Sequence, residues 1–382
     1  MIWDWMAERV MTEQELNRAL LARQGLLEPM SAPVGDVVAA VGALQMQHWP
    51  ALGPALWSRT SGLAPGEPHR AHAAGDLLTG TLLRGTIHTV TPGEYPAYAA
   101  VTAASKVAGW RRTKDQPGAE VADLQRELLA YAAEPRSADE LSAFIESWVG
   151  RHPGVLGDAE LAYQRNASWR PWRSTPWLLR VPADGEWGPK TPAAFQTAPI
   201  AERPSTEAAL DAVVRCHLRG FGPAAAEDVA HWIGWSITPV RTALERMEDL
   251  VTFVDEAGRR LYDLPEAPRP DADTEAPVRL LPWFDSTLLA YVPKRRGRVL
   301  PDAYKDVVYV KANGQLKPTV LVDGKVAGIW SLSANRGAAT LTLTPLQPLS
   351  SRARAALLDE AERLARFCHP DLPIHHIALA DG

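Results

Sequence analysis

Cysteine is nearly missing: Cys216 and Cys368 are the only two in 382 residues, and they are far apart. That excludes a disulfide framework or a cysteine-based zinc site and fits a reducing compartment. No apolar run approaches the roughly 18 residues that span a bilayer. The N-terminus, Met-Ile-Trp-Asp-Trp-Met-Ala-Glu-Arg, lacks the charged start and long apolar stretch of a secretory signal. A cytoplasmic protein is the expectation. The ten histidines include the adjacent His375 and His376, yet no His-Glu-x-x-His spacing occurs. A Gly-x-x-x-x-Gly-Lys phosphate loop and a Gly-x-Ser-x-Gly elbow are also missing. These absences narrow catalysis to hydrolysis with no metal and no nucleotide cofactor.

What is present is an ordinary globular composition, 46% hydrophobic and 22% charged, with ample material for a core. The length suggests two or three domains. A net charge of −5 speaks at first against a nucleic-acid partner, but its distribution is uneven. From Arg279 to Arg336 ten basic residues face four acidic ones, a local charge of +6 that leaves −11 for the remainder. That asymmetry suits a protein that meets phosphate on one face. Chance clustering of solvated charges is the plainer alternative.

Local signals divide the chain. Thr12 and Glu15 form a capping-box pattern opening a helix from Thr12 to about Leu26. Val34 to Leu44 predicts a second helix, stopped before Pro50. Gly80 to Val90 alternates as a strand or hairpin with Gly85 at its turn, and Thr91-Pro92 opens a helix carrying Tyr95, Tyr98 and Val101. A second capping box starts at Ser137, followed by a hairpin over Pro176–Trp187. Pro223–Gly234 and Ser236–Arg246 then pair as helix and helix, and Leu250–Tyr262 reads as strand, turn, strand. Helix-turn-helix followed by a β wing, met twice, is the winged-helix plan. Such modules also serve as packing units, so their recurrence does not by itself imply DNA contact. The segment Pro265–Pro277 is a linker by composition. Beyond it come short strands, an Asp323-Gly324 hairpin turn and a helix near Ser351–Cys368. The expected fold is α+β: tandem winged-helix domains over 12–115, 116–202 and 203–266, with a mixed α/β C-terminal part over 278–382.

The apolar run Val37–Leu44 ends in Gln45-Met46-Gln47. Two glutamines about one apolar residue are an unusual end to a core-facing segment. Amides both donate and accept hydrogen bonds, so such a pair can hold a water or line a cavity where charge develops. The bland alternative is a polar cap facing solvent. On an ideal helix, residues two apart diverge by about 200°, so the pair converges only if the helix ends or tightens there.

The segment Val41–Gln47, with Ala55–Arg59 and Leu83–Val90, resembles the AlkZ-like DNA glycosylases, winged-helix proteins whose active site carries a Gln-apolar-Gln or Gln-apolar-Asp motif. Trp169–Arg173, Leu281–Asp285 with Leu288–Tyr291, and Pro318–Trp330 extend the likeness to about residues 12–350. The resemblance implies a metal-free, monofunctional, monomeric glycosylase acting on double-stranded DNA that carries alkylated purines. It would excise bulky N7-alkylguanine adducts or unhook interstrand crosslinks, leaving an abasic site. The Gln-Met-Gln form is closer to the branch linked to self-resistance against genotoxic natural products. Gln45 and Gln47 are the implied catalytic pair. An N7-alkylated purine is cationic and leaves as a neutral base, so amides that orient water and face the oxocarbenium-like sugar suffice.

Arg84, His88, Trp49, Lys311, Lys317, Lys325, Arg170 and Arg173 are the candidate DNA contacts. The lysines match phosphate ligands, and the arginines near 170 alternate with tryptophans as in single-strand binders. Each has a structural alternative: a strand histidine, a core tryptophan, an ordinary surface hairpin around Asp323-Gly324-Lys325. Asp285 is either an orienter or a turn residue. The stretch from Tyr291 to Arg296 is more basic than the resemblance leads one to expect, and Met1–Val10 lies outside it. The rival readings are a winged-helix transcriptional regulator without catalytic activity, expected to be dimeric, and a protein that sequesters the alkylating metabolite.

Overall fold

Thr12 and Glu15 cap the helix Glu13–Arg23 reciprocally. The Thr12 hydroxyl accepts from the Glu15 amide at 3.2 Å, and the Glu15 carboxylate accepts from the Thr12 amide at 2.8 Å. The computed structural model describes residues 9–105, 119–169, 175–185, 187, 191–310, 314–335 and 337–380. They divide into two compact units, one made of residues up to 71 together with those from 214 onward, the other of residues 72–213. The first division falls inside the stretch 12–115 that the sequence assigns to one domain.

In the first unit, a second helix runs Val34–Val41 and stops three residues earlier than expected. Gly42, at φ +82°, is the cause: a left-handed backbone ends the helix, and glycine takes it without steric cost. The chain then becomes extended over Leu44–Gln45 and continues into the helix Leu52–Trp57. Further along, the helices Ala226–Ile233 and Ile237–Arg246 are followed by the antiparallel strands Val251–Asp255 and Arg260–Asp263, as the periodicity predicts. Val10–Met11 adds a parallel strand to that pair.

The C-terminal part is a five-stranded sheet in the order Ile374–Leu379, Ala338–Pro345, Lys325–Asn335, Thr319–Val322, Arg279–Leu281. Its first pair is parallel and the others antiparallel. The Asp323-Gly324 turn has positive φ at both residues, 49° and 76°, as a tight two-residue hairpin requires. The helix Ser351–Cys368 packs Leu357, Ala361 and Leu364 onto Leu280, Trp330 and Leu341 of this sheet. The final strand, Ile374–Leu379, has no counterpart in the sequence reading. The segment 265–277 lacks regular structure yet is tied down: the Thr274 and Pro268 carbonyls accept from Arg18 and Arg23.

In the second unit, the strands Ile87–Val90, Leu78–Thr81, Leu178–Pro182 and Ala193–Thr197 lie in that order, each antiparallel to the next. The return strand of the hairpin expected over Pro176–Trp187 is therefore Ala193–Thr197, beyond that range. The helix Tyr95–Ala104 buries Tyr95, Tyr98 and Val101 completely. The Tyr95 hydroxyl would meet a Cβ at Gly80 at 2.2 Å, so that strand position must be glycine. Ser137 and Glu140 form the second capping box, at the start of Ala138–Arg151. Leu141, Ile145 and Trp148 of that helix join Leu178 and Phe195 in this unit's core. The described chain is thus a mixed α/β protein in which no helix is long and apolar enough to cross a membrane.

Candidate functional site

Gln45 lies in the extended segment after Gly42, not on a helix, so the divergence that a helix imposes on residues two apart does not arise. Its side chain is largely buried, Met46 is buried beside it, and Gln47 is exposed at a bend. His48 is exposed, with its ring 5.9 Å from that of Trp283, and partial burial lowers the pKa of its imidazole. Trp49 sits half-buried in a short helical turn with its indole edge-on to His69, 5.8 Å between centroids. Aromatic surface therefore flanks the exposed amide.

The backbone of this segment is held from a distant part of the chain. The Gln45 amide donates to the Ser286 hydroxyl at 3.2 Å, and that hydroxyl donates to the Ala43 carbonyl at 2.9 Å. Ser286 opens a short helical turn capped by Asp285, whose carboxylate accepts from the Thr287 amide at 2.9 Å. Arg59, with no solvent exposure, donates to that same carboxylate oxygen at 2.8 Å and to the Thr287 hydroxyl at 3.0 Å. On its other side Arg59 meets the Gln24 side-chain oxygen at 3.2 Å. The Gln24 amide nitrogen in turn donates to the carbonyls of Val41, at 2.9 Å, and Gly220, at 2.7 Å. Asp285 is thus more than a turn residue. Gln24 and Ser286 were missed in the sequence. The one available signal was a lone arginine, Arg59, just after an apolar helix, which demands a buried carboxylate.

His88 sits in the strand Ile87–Val90 of the second unit, essentially unexposed, its Nδ1 3.0 Å from the Thr86 carbonyl. A carbonyl only accepts, so Nδ1 carries the proton and Nε2 is the free acceptor. Burial, with the nearby Arg84 charge, pushes its pKa down to about 3. The imidazole is neutral near pH 7 and does not act as a cationic phosphate ligand. Arg84 occupies the turn before it with φ +56°, a left-handed conformation unusual for arginine.

The basic stretch is used largely within the first unit, and this corrects the picture of one solvated basic face. Arg298 is buried over the Tyr291 ring, 4.0 Å from its centroid, and donates to the Pro223 carbonyl. Arg279 pairs with the buried Glu360 at 3.5 Å, beside a cavity of about 210 Å³ that Arg363 and Trp57 also line. Lys325 reaches Glu13 at 2.7 Å, and its turn docks on the first helix, where Arg18 pairs with Asp323 and Asn17 donates to the Gly324 carbonyl. Lys294 is exposed and Lys317 partly so. Arg165 pairs with Glu146 at 3.4 Å, and Trp169 is buried, so this much of the Arg/Trp alternation serves packing. Lys311, Arg170 and Arg173 lie outside the described residues.

Residues 38–367 match the family model for AlkZ-like DNA glycosylases. A Streptomyces sahachiroi protein described as an interstrand DNA cross-link repair glycosylase is 27% identical over 354 residues, covering 89% of this chain and 92% of its own. The solved structure of Streptomyces sahachiroi DNA glycosylase AlkZ superposes with a TM-score of 0.80 at 22% identity, over 97% of this chain and 100% of that one, a likeness of fold. With the family match spanning most of its length, the chain belongs to the AlkZ-like DNA glycosylases, hydrolases of N-glycosyl bonds.

Proposed function

We propose that this glycosylase removes bulky N7-alkylguanine adducts from double-stranded DNA, and unhooks interstrand crosslinks made through the same position, as a cytoplasmic monomer in alkylation repair or self-resistance. Gln45 and Gln47 are its catalytic pair. The observation that carries the reading is the Gln45-Met46-Gln47 segment itself: extended at Gln45 and bent at Gln47, pinned through the Gln45 backbone, flanked by aromatic rings, with one amide exposed. The description of the Streptomyces sahachiroi relative supports crosslinks as substrates.

In this scheme the alkylated base departs first. The electron pair of the C1′–N9 bond passes to the cationic purine and neutralises it, so no acid is needed. Glutamine carbonyl oxygens face the positive sugar, and an amide orients the water whose oxygen bonds to C1′. One water proton passes to solvent. Glutamine is a poor general base, which confines activity to labile, cationic bases.

The helix pair Ala226–Ile233 and Ile237–Arg246 with its two-stranded wing is one of the tandem winged-helix modules. Lys311, Lys317, Lys325, Arg170 and Arg173 are the proposed phosphate contacts, and Arg84, His88 and Trp49 the remaining proposed DNA contacts. No observation favours a regulator without chemistry.

The test is an oligonucleotide duplex with one N7-alkylguanine, incubated with protein and then cleaved at abasic sites by alkali. Scission by the wild type and its loss in Gln45→Ala or Gln47→Ala support the reading. Tight binding without scission overturns it. Equal scission in all three proteins keeps the enzyme and removes the glutamines from it.

A further inference from the structure

From the geometry beneath Gln45 we infer that Ser286 is a positioning residue for base excision, clamped in place by the Arg59–Asp285 pair; this rests on Gln45 acting in catalysis. The Ser286 hydroxyl bridges the backbone on both sides of Leu44, accepting from the Gln45 amide at 3.2 Å and donating to the Ala43 carbonyl at 2.9 Å. Gln24 holds the near end of the same segment through the Val41 carbonyl. Those two anchors are joined to each other, because Arg59 bonds both the Gln24 oxygen and the Asp285 carboxylate that caps the turn carrying Ser286. The stretch from Val41 to Gln45 is therefore fixed at both ends by one polar network. Within it Gly42, at φ +82°, supplies the backbone bend.

Stability alone explains this arrangement poorly. A fully buried ion pair surrenders hydration that its attraction scarcely recovers, and well-packed apolar residues of similar size often do as well. What the pair supplies is direction. Arg59 donates to Asp285, to Thr287 and to Gln24, and so sets the turn of Ser286 relative to the segment ending at Gln45. A catalytic amide gains from such fixing, because small errors in placing a water or a sugar-facing oxygen are costly in rate.

The experiment is a double-mutant cycle on single-turnover excision from the N7-alkylguanine duplex, with lesion binding measured separately. Ser286→Ala is expected to slow excision by about tenfold to a hundredfold, to leave DNA affinity unchanged, and to expose the Gln45 amide to hydrogen exchange. In a Gln45→Ala background the same substitution should slow excision no further, since Ser286 acts through Gln45. Ser286→Thr, which keeps the hydroxyl, should recover most of the rate. If Ser286→Ala does not fold, Ser286→Cys, with a weakly bonding thiol of similar size, takes its place in the cycle. An equal loss of rate with and without Gln45 overturns the proposal, as does a wild-type rate for the serine variant when Gln45→Ala is inactive. Full activity of Gln45→Ala would instead sink the catalytic reading beneath it.

Discussion

Arg23 closes on Asp263 through two parallel hydrogen bonds, 2.6 and 2.7 Å long, with neither side chain meeting solvent. Arg269 adds a third bond to the same carboxylate at 2.6 Å. The first helix is thereby joined to the strand Arg260–Asp263 across more than half the chain. Asp263→Leu leaves two arginines facing an uncharged group, one of them buried. It should destabilise the first unit by about 3–5 kcal/mol, read by denaturant unfolding. A loss below about 1 kcal/mol would mean that water reaches the pair.

Gly220 provides a purely steric test. A Cβ there would lie 2.4 Å from the Val41 carbonyl oxygen, an atom already fixed by Gln24. Gly220→Ala forces a methyl carbon against a backbone carbonyl and should cost about 1–3 kcal/mol. Because the strain falls on the end of the helix before Gln45, excision should slow as well. A thermal melt paired with the duplex assay separates the two effects.

The glutamines should behave unlike each other in stability and alike in chemistry. Gln47 is exposed, so Gln47→Ala should shift stability by no more than about 0.5 kcal/mol. Gln45 is largely buried, and its alanine variant should be measurably weaker. Each should lower single-turnover excision by about 10²-fold or more. Melting curves beside rate measurements decide both points.

His88 makes the second unit sensitive to acid. Its pKa falls from about 6.5 when unfolded to about 3 when buried, so between those values the unfolded chain holds the extra proton. Stability is therefore full above about 6.5 and declines as pH falls toward 3. His88→Asn keeps a donor for the Thr86 carbonyl but cannot be protonated, and should move the acid midpoint down by on the order of half a pH unit. Unfolding followed by circular dichroism against pH measures it, and an unchanged midpoint assigns the acid transition elsewhere.

Lys317 and Lys325 should differ in binding. Lys325 already has Glu13 as a partner at 2.7 Å. Lys317→Ala should reduce the salt dependence of DNA binding by about one counterion, and Lys325→Ala by less. Affinities measured across a salt series test this, and equal slopes would show that the Glu13 pair opens on DNA.

Both capping boxes, the Asp323-Gly324 turn and the helix Ser351–Cys368 were legible in the sequence because each is a local matter. A helix start satisfies its free amides within three residues, and a two-residue turn needs only residues that tolerate positive φ. The ordered motifs around Gln45-Met46-Gln47 likewise carried the family. The second helix ends before Pro50 because Gly42, with its left-handed backbone, comes first along the chain. The fate of the basic residues was beyond sequence: whether Arg298 or Lys325 faces phosphate, an aromatic ring or a glutamate depends on partners far along the chain. The same holds for the site. Sequence determined which amides stand at the end of the second helix. Only the tertiary structure decided what holds them, because the hydroxyl that fixes Gln45 comes from 241 residues away, and hydrogen bonds at that separation leave no local pattern to read.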